Sequence, residues 1–296
     1  MATVKIPTKL DTSKLTGTGF SLDEETVLAA VLMAIGGLEG QGKSHLAFTA
    51  AVQGPVAYMY TDRRHDGVIQ KFYGSAKYAP IATSEYSYRV PKGLGVVKGA
   101  SSEQINAAKT DDLKRATAAL EEVIERFQAD FDRALAAGFR SIILDTETEL
   151  WELFRAARFL KRFGRTDKVP QLAYGEVNAE FRGILRQPKR YGTNLILLRK
   201  MKKEYKGDNW TGGYYPAGFG ETAFLADISL RMAYDEKTKL FSATITKSGA
   251  KPEFTGTQVI NPTFTGIVQQ LWPNDDWKSD PDSVGVDLGD DDALEV

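Results

Sequence analysis

The chain has 296 residues, 42% hydrophobic and 26% charged, with two histidines and no cysteine. That composition suits a folded protein and excludes a disulfide framework or a thiolate metal site, so any cation would take oxygen ligands, magnesium before zinc. No apolar run approaches the roughly 20 residues of a membrane span, and the opening "MATVKIPTKLDTSK" lacks the apolar segment of a secretory signal, so a cytoplasmic protein without a membrane contact is expected.

The net charge of −1 hides an asymmetry. Residues 274 to 296 hold eight Asp and one Glu against one Lys, a net of −8, which leaves +7 on the remainder. Three parts are expected: an N-terminal segment 1 to 26, a core 27 to 273, and an acidic, disordered tail 274 to 296. A basic body with an acidic tail fits a protein that handles nucleic acid, and equally a tail that only aids solubility.

In chain order, "VLAAVLMAIGG" (27 to 37) is an apolar run stopped by glycines, as in a strand buried on both faces. "SHLAFTAAV" reads as a helix and "PVAYMYTD" (55 to 62) as a second buried strand. Between Thr110 and Gly138, apolar residues from Leu113 to Leu135 recur at steps of three and four, one face of a long helix. "FRSIILDTETEL" (139 to 150) runs from aliphatics into acids, as at the end of a core strand. Two helices follow, the second ended by Pro188, and then the buried strand "TNLILLRK" (193 to 200). From 227 the period changes to two, a hairpin turning at Asp235 to Lys239. Strands alternating with helices predict an α/β fold, a mostly parallel sheet flanked by helices with a C-terminal antiparallel hairpin.

The segment between the first strand and its helix carries the chemistry. In "GLEGQGKS", Gly37, Gly42, Lys43 and Ser44 match G-x-x-x-x-G-K-[ST], the loop whose backbone N–H groups surround phosphates. Gly37, Glu39, Gly40, Gln41, Gly42, Lys43, Ser44 and His45 are the candidate ATP-binding residues. Lys43 would reach the β- and γ-phosphates, and the Ser44 hydroxyl would ligate Mg2+. Asp145, after three aliphatics, is the candidate carboxylate for that ion, or an N-cap for the helix behind it.

The chain resembles the RecA-like P-loop ATPases, and within them the short phage-encoded proteins of the single-strand annealing and recombination type. The resemblance covers roughly residues 27 to 250 and rests on "GLEGQGKS", on "SIILDTE" and on the acid ending "VAYMYTD". It implies ATP hydrolysis with Asp62 activating water; Glu147, two residues past Asp145, is the competing base, and Asp62 stands where a longer Glu is usual. It also implies a homo-oligomer, ring or filament, with a basic finger from the neighbouring subunit: Lys247 in "TITKSGAK", with Lys251 behind it.

"RKMKKEYKGDNWTGGYYPAGFGET" (199 to 222) supplies five cations in its first eight residues, then aromatics among glycines. Cations that track phosphates and rings that stack bases are the pattern for single-stranded DNA, with Arg199, Lys200, Lys202, Lys203, Lys206, Trp210, Tyr214 and Tyr215 as candidates. The acidic tail would compete for that groove or recruit a protein partner. Two other readings stay open: a P-loop kinase, for which "RRHD" (63 to 66) is a weak lid, and a scaffold that binds nucleotide without hydrolysing it.

Overall fold

The computed structural model describes residues 30 to 61, 66 to 87, 110 to 166, 168 to 273 and 275 to 280. Asp62, with the "RRH" behind it, and the segments 1 to 29 and 281 to 296 lie outside the described residues.

Eight strands form one sheet in the order β10-β9-β8-β1-β5-β4-β2-β3. These are β1 (Leu32–Gly36), β2 (Val56–Tyr60), β3 (Ile81–Glu85), β4 (Ser141–Asp145), β5 (Asn194–Arg199), β8 (Ile228–Asp235), β9 (Leu240–Ser248) and β10 (Gln258–Ile260). The run from β8 to β3 is parallel, and β9 and β10 close one edge antiparallel. This is the α/β architecture the alternating pattern predicts.

The central strands are apolar throughout because both their faces are covered, with successive side chains going to opposite sides. Leu32, Ala34, Met59, Leu144 and Leu197 meet Leu120, Phe127, Trp151, Phe154 and Phe181. Those residues belong to α3 (Thr110–Ala136), α4 (Glu147–Phe163) and α5 (Gln171–Arg190). Met33, Ile35, Tyr58, Ile143 and Leu198 meet Leu46, Phe48, Phe264 and Val268 on the other face. That layer holds α1 (Lys43–Phe48), the 3-10 turn Thr49–Val52 and α7 (Phe264–Leu271). The remaining α-helices among the described residues are the single turns α2 (Asp66–Ile69) and α6 (Thr222–Leu225). No helix among the described residues is long and apolar enough to cross a membrane.

Several elements depart from the sequence reading. Pro188 sits inside the last turn of α5, which runs on to Arg190. The hairpin at 235 to 240 forms as expected, since the Asp235 carboxylate accepts from Lys237 N and Thr238 Oγ1 at 2.9 Å each. The basic and aromatic segment 199 to 222, to which the sequence reading assigns no strand, holds a second two-stranded sheet, β6 (Met201–Lys206) and β7 (Asn209–Pro216). Its turn is Gly207-Asp208, with Gly207 at φ 63°.

The stretch 275 to 280, which composition assigns to the tail, lies against the body. Gln53 holds the Lys278 backbone in both directions at 2.9 Å, Trp277 is buried beside Phe264 and Arg140, and Asp280 pairs with Lys77 at 2.7 Å.

Candidate nucleotide site and nucleic-acid interface

β1 ends at Gly36, and the chain turns through 37 to 42 into α1. The turn is closed by Leu38 N donating to Gln41 Oε1 at 2.7 Å. Gly42, the N-cap of α1, has φ 81°, and a Cβ there would sit 2.8 Å from the Phe241 ring. Left-handed backbone and close approach thus both demand glycine at that position.

A cleft of about 870 Å³ opens over this loop. Gly37, Glu39, Gly40, Gln41, Gly42, Lys43, Ser44 and His45 all line it, so the structure brings the whole predicted loop to one cavity. Asp145, Thr146 and Lys200 line it too, and Phe241, Asn261, Pro262 and Thr263 add a wall that no sequence motif announces.

Lys43 Nζ donates to the carbonyls of Gly37 and Leu38 at 2.8 and 2.7 Å. Burial holds its ammonium below the ordinary lysine range, Asp145 and Glu39 oppose that, and Lys200 adds to it. Burial, with Lys71 nearby, likewise lowers His45.

Asp145 ends β4 and is almost fully buried. Its Oδ2 accepts from Ser44 Oγ at 3.3 Å and from Tyr58 Oη at 2.9 Å. Capping of α4 falls to Thr146, whose hydroxyl accepts from Glu149 N at 3.2 Å, which frees Asp145 from that duty. A serine hydroxyl and a carboxylate side by side are hard oxygen donors that fit Mg2+, an ion that takes few protein ligands and keeps its waters. Among the described residues, no cluster of three or more His, Cys, Asp or Glu forms a self-sufficient metal cage.

Three sequence expectations are corrected. Glu147 does not face the cleft. Its Oε1 accepts from Phe219 N at 2.9 Å and Thr222 Oγ1 at 2.8 Å, and its Oε2 from Arg199 Nε at 3.3 Å. Burial pushes its carboxyl up while Arg199 and the two donors pull it back. Arg199 is spent in the same way, with Nη2 on the Phe219 carbonyl at 3.2 Å, so it is no DNA contact. Lys247 donates to the carbonyls of Ala223, Phe224 and Ala226 at 2.9, 2.9 and 2.6 Å, which uses all three ammonium protons and removes the finger role.

The remaining cations stay on the surface. Lys200 reaches Glu149 at 2.6 Å from the edge of the cleft. Lys202, Lys203 and Lys206 are exposed on β6. Lys203 lies 5.0 Å over the Trp210 ring, which meets Tyr214 edge-on at 5.9 Å. Trp210, Tyr215 and Tyr205 are about half exposed, while Tyr214 is partly covered.

A family model described as "AAA domain" matches residues 29 to 261, well over half of the chain. The chain belongs to the AAA domain family. The match indicates an AAA-type P-loop ATPase, a family that binds nucleotide, typically with Mg2+, and the cleft-lining loop at Lys43 lies within the matched residues. No curated protein compared with this AAA-domain chain matches it.

Proposed function

We propose that this AAA-domain protein binds and hydrolyses ATP with Mg2+ and couples that cycle to single-stranded DNA on the β6–β7 hairpin, in phage recombination or replication. One observation carries the reading: β5 ends beside the cleft, Lys200 lines that cleft, and the next residue begins the exposed basic and aromatic hairpin.

Within the cleft, Lys43 exchanges the Gly37 and Leu38 carbonyls for phosphate oxygens. Ser44 and Asp145 hold the cation. Bound there, Mg2+ offsets the charge on the transferring phosphoryl group. Phe241 and the Asn261 to Thr263 wall flank the loop where a nucleobase would lie. Asp62, two residues past the register partner of Asp145, remains the candidate for polarising water.

On the hairpin, Lys202, Lys203 and Lys206 follow phosphates while Trp210 and Tyr215 stack bases. A homo-oligomer, ring or filament, and a protein partner for the acidic tail belong to the same proposal. Its test is phosphate release with and without single-stranded DNA, for the wild-type protein and Trp210→Ala. Stimulation lost in the variant supports the reading, and turnover indifferent to DNA, with no DNA bound, overturns it.

A further inference from the structure

We infer that Tyr58 is a positioning residue for the cation site, acting through the carboxylate of Asp145. The inference rests on the reading of Ser44 and Asp145 as the magnesium holders.

Tyr58 lies on β2, which pairs with β4 in the register Tyr58 to Ile143 and Tyr60 to Asp145. Its side chain is fully buried, held edge-on by Phe48 at 4.9 Å and stacked on Tyr60 at 5.2 Å and 20°. A ring packed on two sides puts its hydroxyl in one place, and that place is 2.9 Å from Asp145 Oδ2. Phenylalanine would fill the same space without the cost of burying a hydroxyl, so the oxygen needs a reason. The carboxylate supplies one, because a hydrogen bond to a charged acceptor is about twice as strong as a neutral one.

The second donor to that oxygen is Ser44, at the longer distance of 3.3 Å. A cation drawn to the Ser44 oxygen competes for this hydroxyl's orientation. Tyr58 is not among the cleft-lining residues, so no ligand displaces its bond. It keeps Asp145 Oδ2 beside Ser44 whether or not the serine has turned to the metal. Tyr58 touches neither nucleotide nor metal, and its effect must therefore appear in metal dependence before anything else.

Calorimetric titration of ATP into the full-length protein, in EDTA and across a magnesium series, separates these effects. Tyr58→Phe should bind metal-free ATP as the wild type does, while its half-saturating magnesium rises roughly tenfold, the scale of one hydrogen bond to a charged group. Tyr60→Phe removes the neighbouring hydroxyl, which points to Glu85 at 3.4 Å, and should leave the magnesium midpoint unmoved. Asp145→Asn should raise it more than Tyr58→Phe. An unchanged midpoint in Tyr58→Phe, an equal shift in Tyr60→Phe, or failure of Tyr58→Phe to fold each overturns the assignment. If Asp145→Asn also leaves the midpoint unmoved, the magnesium reading itself falls.

Discussion

Glu147 Oε2 accepts from Arg199 Nε at 3.3 Å, and both side chains are shut away from solvent. The pair ties the start of α4 to the end of β5 and, through Phe219 and Thr222, to the chain leaving the hairpin. Removing one member strands the other: Arg199→Ala should cost roughly 3–5 kcal/mol, read from denaturant unfolding. Burial raises the Glu147 carboxyl, so the folded state holds that proton more tightly than the unfolded chain. Its contribution therefore favours the fold below the ordinary value of 4.5 and is lost as pH rises through the raised folded value. Without the guanidinium the carboxyl rises further, so in Arg199→Ala that loss should grow and extend to higher pH. Glu147→Gln should keep turnover within about threefold, whereas a general base would lose about 10²–10⁴.

Lys43 carries the second prediction. Its ammonium is held below 10.5 by burial, so it loses its proton at lower pH than a solvated lysine. Phosphate binding needs the charged form, and ATP affinity should fall as pH rises on the alkaline side, beginning before ordinary lysines titrate. Lys43→Ala should weaken ATP about 10- to 100-fold, from ~1.5–3 kcal/mol for a charge-assisted hydrogen bond, and flatten that pH dependence. Titration of a fluorescent ATP analogue across pH checks both.

The hairpin makes a prediction in salt. Replacing Lys202, Lys203 and Lys206 together by Ala should lower the slope of log affinity against log salt for single-stranded DNA by about 2, near 0.7 per phosphate contact. Trp210→Ala should cost ~1–3 kcal/mol at any salt and leave the slope alone, since stacking releases no counterion. Arg199→Ala, at a temperature where it stays folded, should alter neither. Anisotropy titrations at several salt concentrations give all three results.

How far the sequence discloses this site depends on how local the chemistry is. The phosphate loop is legible because its glycines, lysine and serine act within eight residues, and Asp145 because a carboxylate closing a run of buried aliphatics breaks the apolar pattern. Glu147 misleads because its partners are 52, 72 and 75 residues away, and no spacing reveals that a distant arginine has claimed it. Lys247 misleads for the same reason, its carbonyl acceptors lying on α6 and at Ala226 just after it. β6 and β7 escape a period-two reading because neither strand buries a face, so there is no alternation to see. β3 is missed likewise, with Ile81 its one buried residue.

The segment 275 to 280 straps onto the body and contributes to its stability. Trp277 is 7% exposed, its ring 6.1 Å from Phe264 and under the Arg140 guanidinium at 5.4 Å. Gln53 fastens the next residue from the end of the segment that begins at the phosphate loop, and also donates to Thr265 at 2.7 Å. Truncating a buried Trp typically costs about 3–5 kcal/mol, and Trp277→Ala should fall in that range by thermal unfolding. A chain stopped after Asp280 should melt as the full chain does, while one stopped at 273 should lose the strap and its stability together. Gln53 and Arg140 lie just before β2 and β4, Arg140 at the opposite end of β4 from Asp145. A test of tail competition with DNA must therefore begin its deletion at 281: cutting at 274 would loosen the body and mimic a regulatory effect. Tighter DNA binding by the 281 deletion at matched salt, with an unchanged melting temperature, is the result that supports competition, and unchanged affinity rejects it.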